Sequence, residues 1–130
     1  MKNVMTKLVS KLMTKLCVIF PLSFAAASAS ADNIILINPF QVPEHKLEES
    51  INFWEKARDF LKTQPGYVST KLHSSLQADS EYQLINVAEW KSTSEFKAAT
   101  NNMRSYFKEN KIRHPDGLKG RPSLYSVIRK

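Results

Sequence analysis

Between Tyr82 and Trp90 the chain reads Y-Q-L-I-N-V-A-E-W, and an amide and an indole, Asn86 and Trp90, stand four residues apart. In an extended strand that spacing puts both on one face, together with Tyr82, Leu84 and Ala88. If helices cover that face, Asn86 is an amide among apolar and aromatic neighbours, where an unpaired polar group costs about 1–3 kcal/mol. It must have a partner. A neighbouring helix or loop would make it structural; a carbonyl or enolate oxygen of a flat ligand would make it a donor to developing negative charge. Asn38 poses the same choice, sharing parity with Ile34, Leu36 and Phe40 yet standing directly before Pro39, where it could end a ladder or accept a turn bond. His73 shares a face with Lys71 rather than Leu72, so it is either a solvated strand residue or a proton relay. Arg104, beside Met103, is either exposed or reaches a ligand carboxylate or phenolate.

Other chemistries lack their usual signatures. The sequence has no G-x-G-x-x-G, P-loop, H-E-x-x-H, G-x-S-x-G or paired cysteines, and His45, His73 and His114 are dispersed with no metal-ligand spacing. The 130 residues allow one domain. The first 31 contain four lysines and no acid, then an apolar stretch from Leu16 to Ala27, then Ala29-Ser30-Ala31. These are the three parts of a secretory signal peptide, too short and too interrupted by Pro21 for a membrane span. Cleavage after Ala31 would leave a domain of residues 32–130, exported to the periplasm or medium, with no stable membrane anchor. Its charge falls from +7 to +3, with 15 basic and 12 acidic residues, which is no nucleic-acid signal. The single cysteine, Cys17, goes with the leader, so the mature chain has neither disulfide nor thiolate.

The elements that must position these residues follow from periodicity. Ile34 to Asn38 is a β-branched run closed by Pro39. From Glu44 to Thr63, Leu47, Ile51, Trp54, Ala57 and Leu61 form a helical stripe, with Pro43 near its start and Pro65-Gly66 stopping it. Tyr67 to Ser74 and Tyr82 to Trp90 alternate as a hairpin around a turn at Leu76 to Glu81. Ser92-Thr93-Ser94-Glu95 has capping-box spacing, so a second helix begins near Thr93, carries Phe96, Ala99, Met103, Tyr106 and Phe107 inward, and meets a weak point at Asn101-Asn102. After Pro/Gly punctuation, Leu124 to Ile128 is a last strand. The order β-α-β-β-α-β predicts an α+β, ferredoxin-like fold with an antiparallel sheet and two helices on one face. Apolar residues occur at both strand parities, so the face away from the helices needs a cover, and a second copy of the chain is the expected one.

The local pattern Ile37-Asn38-Pro39-Phe40, Pro65-Gly66-Tyr67, Leu72-His73 and Asn86-Val87-Ala88-Glu89-Trp90-Lys91-Ser92 before Phe96 resembles the antibiotic biosynthesis monooxygenase (ABM) domain family over residues 34 to 129. The resemblance implies the ferredoxin-like fold, a homodimer closed as a dimeric α/β barrel, and a small cavity between sheet and helices. Quinone-forming members oxidise polycyclic phenols with O₂ and use no flavin, haem or metal, so no cofactor is implied. The substrate's own anion reduces oxygen, and the protein binds it, helps deprotonate it and steadies the oxyanion. Carried over, Asn86 holds the oxygen and Trp90 lines or closes the pocket. The family's pocket tyrosine falls on Phe96, which has no phenol, and its arginine falls on Arg104 or Arg113. Asn86, Trp90 and Arg104 are thus the catalytic candidates, with Asn38, His73, Tyr82 and Phe96 as candidates for binding a small aromatic or quinol-like molecule. A haem-degrading branch shares Asn38, but its histidine position falls near Glu109 and its tryptophan position near Ala99, so that role loses its iron ligand. The alternative to an oxygenase is a non-catalytic exported ligand-binding or stress-associated protein with the same cavity.

Overall fold

The computed structural model describes residues 32–130, and the leader expected over residues 1–31 lies outside the described residues. The elements run β1 (Ile34–Gln41), α1 (Leu47–Leu61), β2 (Tyr67–Ser74), β3 (Leu84–Trp90), α2 (Thr93–Glu109), β4 (Lys119–Gly120) and β5 (Ser123–Tyr125). The sheet order is β2-β3-β1-β4, with β5 also on β1 and every pairing antiparallel. This is the β-α-β-β-α-β ferredoxin-like topology, its last strand in two pieces.

The barrel expected from the sequence is corrected here. β2 and the β4/β5 edge do not pair with each other, so the sheet is open. Strand number supplies the reason, because side-chain-filled closed barrels need about eight strands.

Pro39 does not end β1. The strand runs through it to Gln41, and Pro39 stands opposite Ile85 of β3. In an antiparallel strand a residue's N–H and C=O point to the same side. The Pro39 carbonyl accepts from Arg121 N–H at 3.0 Å, so its donorless nitrogen faces the β4/β5 side. There β4 and β5 keep one register on either side of a break at Arg121-Pro122. Two prolines thus share one gap in the ladder, and the strand expected at Leu124 to Ile128 becomes two short pieces, with Ile128 left exposed.

Alternation sets the two faces. Leu84, Asn86, Ala88 and Trp90 of β3 are buried, while Ile85, Val87 and Glu89 between them are half-buried on the other side. Register adds Ile34, Leu36, Asn38 and Phe40 of β1 and Leu124 of β5 to the first face, and Ile35 and Ile37 to the second. Leu36, Ala88, Trp90 and Ala99 form the core, with Ile34, Leu61, Tyr67 and Phe96 packed on it.

The helices follow their stripes with shifted ends. α1 begins at Leu47, later than the sequence pattern implies, because Lys46 N–H closes a turn on Pro43 C=O at 3.1 Å and His45 takes a left-handed φ of 62°. α2 starts as the capping spacing requires: Ser92 Oγ accepts from Glu95 N–H at 3.2 Å and donates to the Glu95 carboxylate at 2.8 Å. Asn101 and Asn102 do not break it, since Asn102 Nδ2 donates to Gln64 Oε1 at 3.0 Å and Asn101 Oδ1 accepts from Arg104 at 3.1 Å, leaving the backbone uncontested. The hairpin loop is longer than expected. Ser75 N–H bonds to Gln83 C=O at 2.8 Å, the Gln83 amide folds back on Ser80 C=O, and β3 begins only at Leu84.

Gly66 joins α1 to β2 with φ 83°, and a Cβ there would lie 2.5 Å from Glu95 Cβ. Gly66→Ala therefore strains the backbone and pushes on the cap of α2 together. We expect a loss of about 2 kcal/mol or more in urea unfolding; an unchanged midpoint would contradict this account of the turn.

Candidate functional site

Helix-facing residues of β1, β2 and β3 do not pack fully against α1 and α2. They leave a cavity of about 360 Å³, a size within reach of one small flat molecule. Its floor is the sheet, with Asn38 and Asn86 directly opposite each other in the β1–β3 register. Both asparagines face the helices because each has the same parity as the core leucines beside it, Leu36 and Leu84.

Asn86 is only 8% exposed, and its Oδ1 accepts the Thr70 hydroxyl from β2 at 2.6 Å. That bond fixes the amide's orientation. The oxygen is occupied, and among the described residues nothing accepts from Nδ2, so the amide has two N–H donors left for a ligand. Asn38 differs: its Oδ1 is buried with no hydrogen-bond partner, close under Gly120 of β4, where a Cβ would come within 3.0 Å of it. Glycine there lets the last strand lie over this amide.

Trp90 is 1% exposed and lines the cavity. It stands edge-to-face with Tyr67, with ring centroids 5.5 Å apart at 89°, and with Phe96, 5.6 Å apart at 69°. Such T-shaped pairs put the positive edge of one ring on the negative face of the next and hold the indole in place. Ser50 of α1 also lines the cavity, and its hydroxyl is spent on Lys46 C=O at 2.7 Å.

Among the described residues two cations line the cavity, Arg58 from α1 and Arg104 from α2, and no carboxylate does. Arg58 lies over the Trp54 ring, 5.2 Å from its centroid, while its outer side pairs with Asp59 at 3.1 Å and Glu55 at 3.5 Å. The hydrogen bond to Asp59 above all raises the Arg58 pKa, and the same bond, helped by Lys62, holds the Asp59 carboxyl below its ordinary range. Arg104 is exposed, with its guanidinium on Asn101. Among the described residues no three His, Cys, Asp or Glu side chains come together as a metal-binding group.

Of the residues singled out from sequence, Asn38, Asn86, Trp90, Phe96 and Arg104 all line this one cavity. His73 and Tyr82 do not. His73 is on the opposite face of the sheet, its Nδ1 3.2 Å from Ile85 C=O, because its parity is that of Lys71. Tyr82 is in the hairpin loop, ahead of the strand that would have given it Asn86's parity. The structure adds Thr70, Arg58, Tyr67 and His114. Thr70 was legible only as an inward-facing strand position, and His114 belongs to a loop with no periodicity to read.

No protein-family model matches the chain. A candidate monooxygenase of Shewanella loihica PV-4 has a solved structure that is 47% identical to this chain, superposes with a TM-score of 0.68, and aligns over 76% of this chain and 97% of its own. The tetracenomycin-F1 monooxygenase of Streptomyces glaucescens is 36% identical over 75 residues, 57% of this chain and 64% of that protein's length. SnoaB, a cofactor-independent oxygenase of Streptomyces nogalater, is 18% identical and shares the fold, with a TM-score of 0.58 over 77% of this chain and 97% of its own.

Proposed function

The chain belongs to the ABM-like monooxygenase family, and on that premise we propose that it oxidises a small aromatic, phenolic or quinol-like molecule with O₂, without an added cofactor. The observation that carries the reading is the Asn86 amide, oriented by Thr70 at the floor of a cavity walled by Trp90. A phenol bound there loses its proton, and the anion's ring carbon gives electrons to O₂. One oxygen atom ends in the ring as a quinone carbonyl and the other leaves as water, so the ring supplies every electron the oxygen takes up. The protein's share is binding and electrostatics: Asn86 N–H groups on the oxyanion, the two arginines at the cavity wall, and a largely apolar and aromatic lining against the ring. Oxygen uptake coupled to a new quinone absorbance, surveyed over naphthols and hydroxyanthrones, tests this. Ligand binding without uptake across the survey would leave the chain a binding protein.

The working form is an exported homodimer in this reading. Export rests on the basic, apolar and small-residue order of residues 1–31. Association rests on Ile35, Ile37, Ile85 and Val87, which share the sheet face that the helices leave uncovered. Material recovered outside the cytoplasm should have an intact mass that begins near Asp32 and scatter light at twice that mass. Retention of the four leader lysines would refute processing, and a monomer at micromolar concentration would refute pairing through this face.

A further inference from the structure

We propose that His114 is the base that ionises the bound phenol, a step that rests on the oxygenase reading only for its purpose. The reaction needs a proton acceptor, and the lining offers very few. Among the described residues no Asp, Glu, Lys or Cys lines the cavity, and its hydroxyls, amides, indoles and guanidiniums are proton donors or already protonated at neutral pH by type. The imidazole of His114 remains.

Its surroundings fix which nitrogen works. Nδ1 lies 2.9 Å from the carbonyl oxygen of Pro115, an atom that only accepts, so Nδ1 bears the proton and Nε2 has the lone pair. Pro115 is buried, and the same carbonyl accepts from Leu118 N–H at 3.2 Å, so the anchor is a closed turn. Gly117 completes that turn at φ 81°, against Pro43. The ring also stands edge-to-face on Phe53, with centroids 5.0 Å apart, which holds it at the cavity wall. Among the described residues Nε2 has no protein partner. In the step, the phenol O–H bond breaks, an N–H bond forms at Nε2, and the electron pair stays on oxygen. The imidazolium keeps its Nδ1–H bond to Pro115.

4-Nitrophenol separates this step from oxidation, because its anion is yellow and it is not consumed by O₂. Titrated into the protein at a pH where the free ligand is mostly neutral, it should show an anion-to-neutral ratio about tenfold above that of free ligand, equivalent to one pKa unit. His114→Asn keeps an N–H for Pro115 C=O but has no base; it should return the ligand to its neutral form while still binding 4-nitroanisole, and added imidazole should restore the colour. The wild-type protein supplies a second measurement, made with the imidazole neutral at the outset: transfer to His114 then releases no proton to a weakly buffered solution, whereas ionisation by the arginines alone releases one. Undiminished colour in His114→Asn, release of one proton, or no ionisation by the wild type would each overturn the assignment. Failure of every phenol to drive O₂ uptake would instead sink the oxygenase reading and leave the ionisation result intact.

Discussion

Asn86→Ala will lower kcat/KM for an oxidised phenol by about 10²-fold or more, the usual consequence of losing one preorganised donor to an oxyanion. The expectation depends on orientation. Thr70 holds Oδ1 at 2.6 Å, so in the proposed reaction the amide would not have to turn to present its N–H groups as charge develops on the substrate. Alanine removes the donors and leaves Thr70 Oγ1 a 3.5 Å bond to Val87 C=O, so the fold has a fallback for that hydroxyl. Thermal unfolding should therefore move much less than activity. Turnover at the wild-type rate with unchanged KM would show that Asn86 is not the donor, and an equal fall in stability and activity would make it a structural amide.

Trp90→Ala should cost about 3–5 kcal/mol, the range for deleting a large buried aromatic side chain. Folding free energies of small domains are about 5–15 kcal/mol, so this variant should lose much of its resistance to urea. The indole is the shared member of two edge-to-face pairs, with Tyr67 and Phe96, and its removal leaves both rings without that partner beside an existing cavity. Trp90→Phe keeps a flat apolar wall and should unfold close to wild type. Among the described residues nothing accepts from the indole N–H, so a phenylalanine variant that is stable but impaired in turnover would assign that N–H to the ligand. A Trp90→Ala protein with a wild-type urea midpoint would mean that the core does not depend on this ring.

Legibility in the sequence followed the range of the physics involved. Asn86 and Trp90 could be placed on one covered face because strand alternation is local and has a fixed period, and the same rule puts His73 with Lys71 on the outer face. Asn101 and Asn102 looked like a weak point in α2 by propensity, yet their side chains find Arg104 and Gln64, partners that only the tertiary structure supplies. Pro39 was misleading for the same reason: a missing donor ends a strand only where the neighbouring strand demands that donor, and here the neighbour has its own break at Pro122. Tyr82 was lost because loop length around Gln83 is set by side-chain bonds that carry no period. His114 reaches the cavity through a turn stitched to Pro43, and no spacing along the chain announces that contact.

The doubled proline gap also bears on how the protein behaves when crowded. A free sheet edge is a template for another strand, and growth along edges has no natural end, which is how ribbons and fibres begin. On the β4/β5 side that template is broken into pieces of two and three residues with Pro122 between them, too little for an incoming strand to zip onto. In the proposed dimer, burying the apolar sheet face of one copy against another would instead use up the sticky surface and stop.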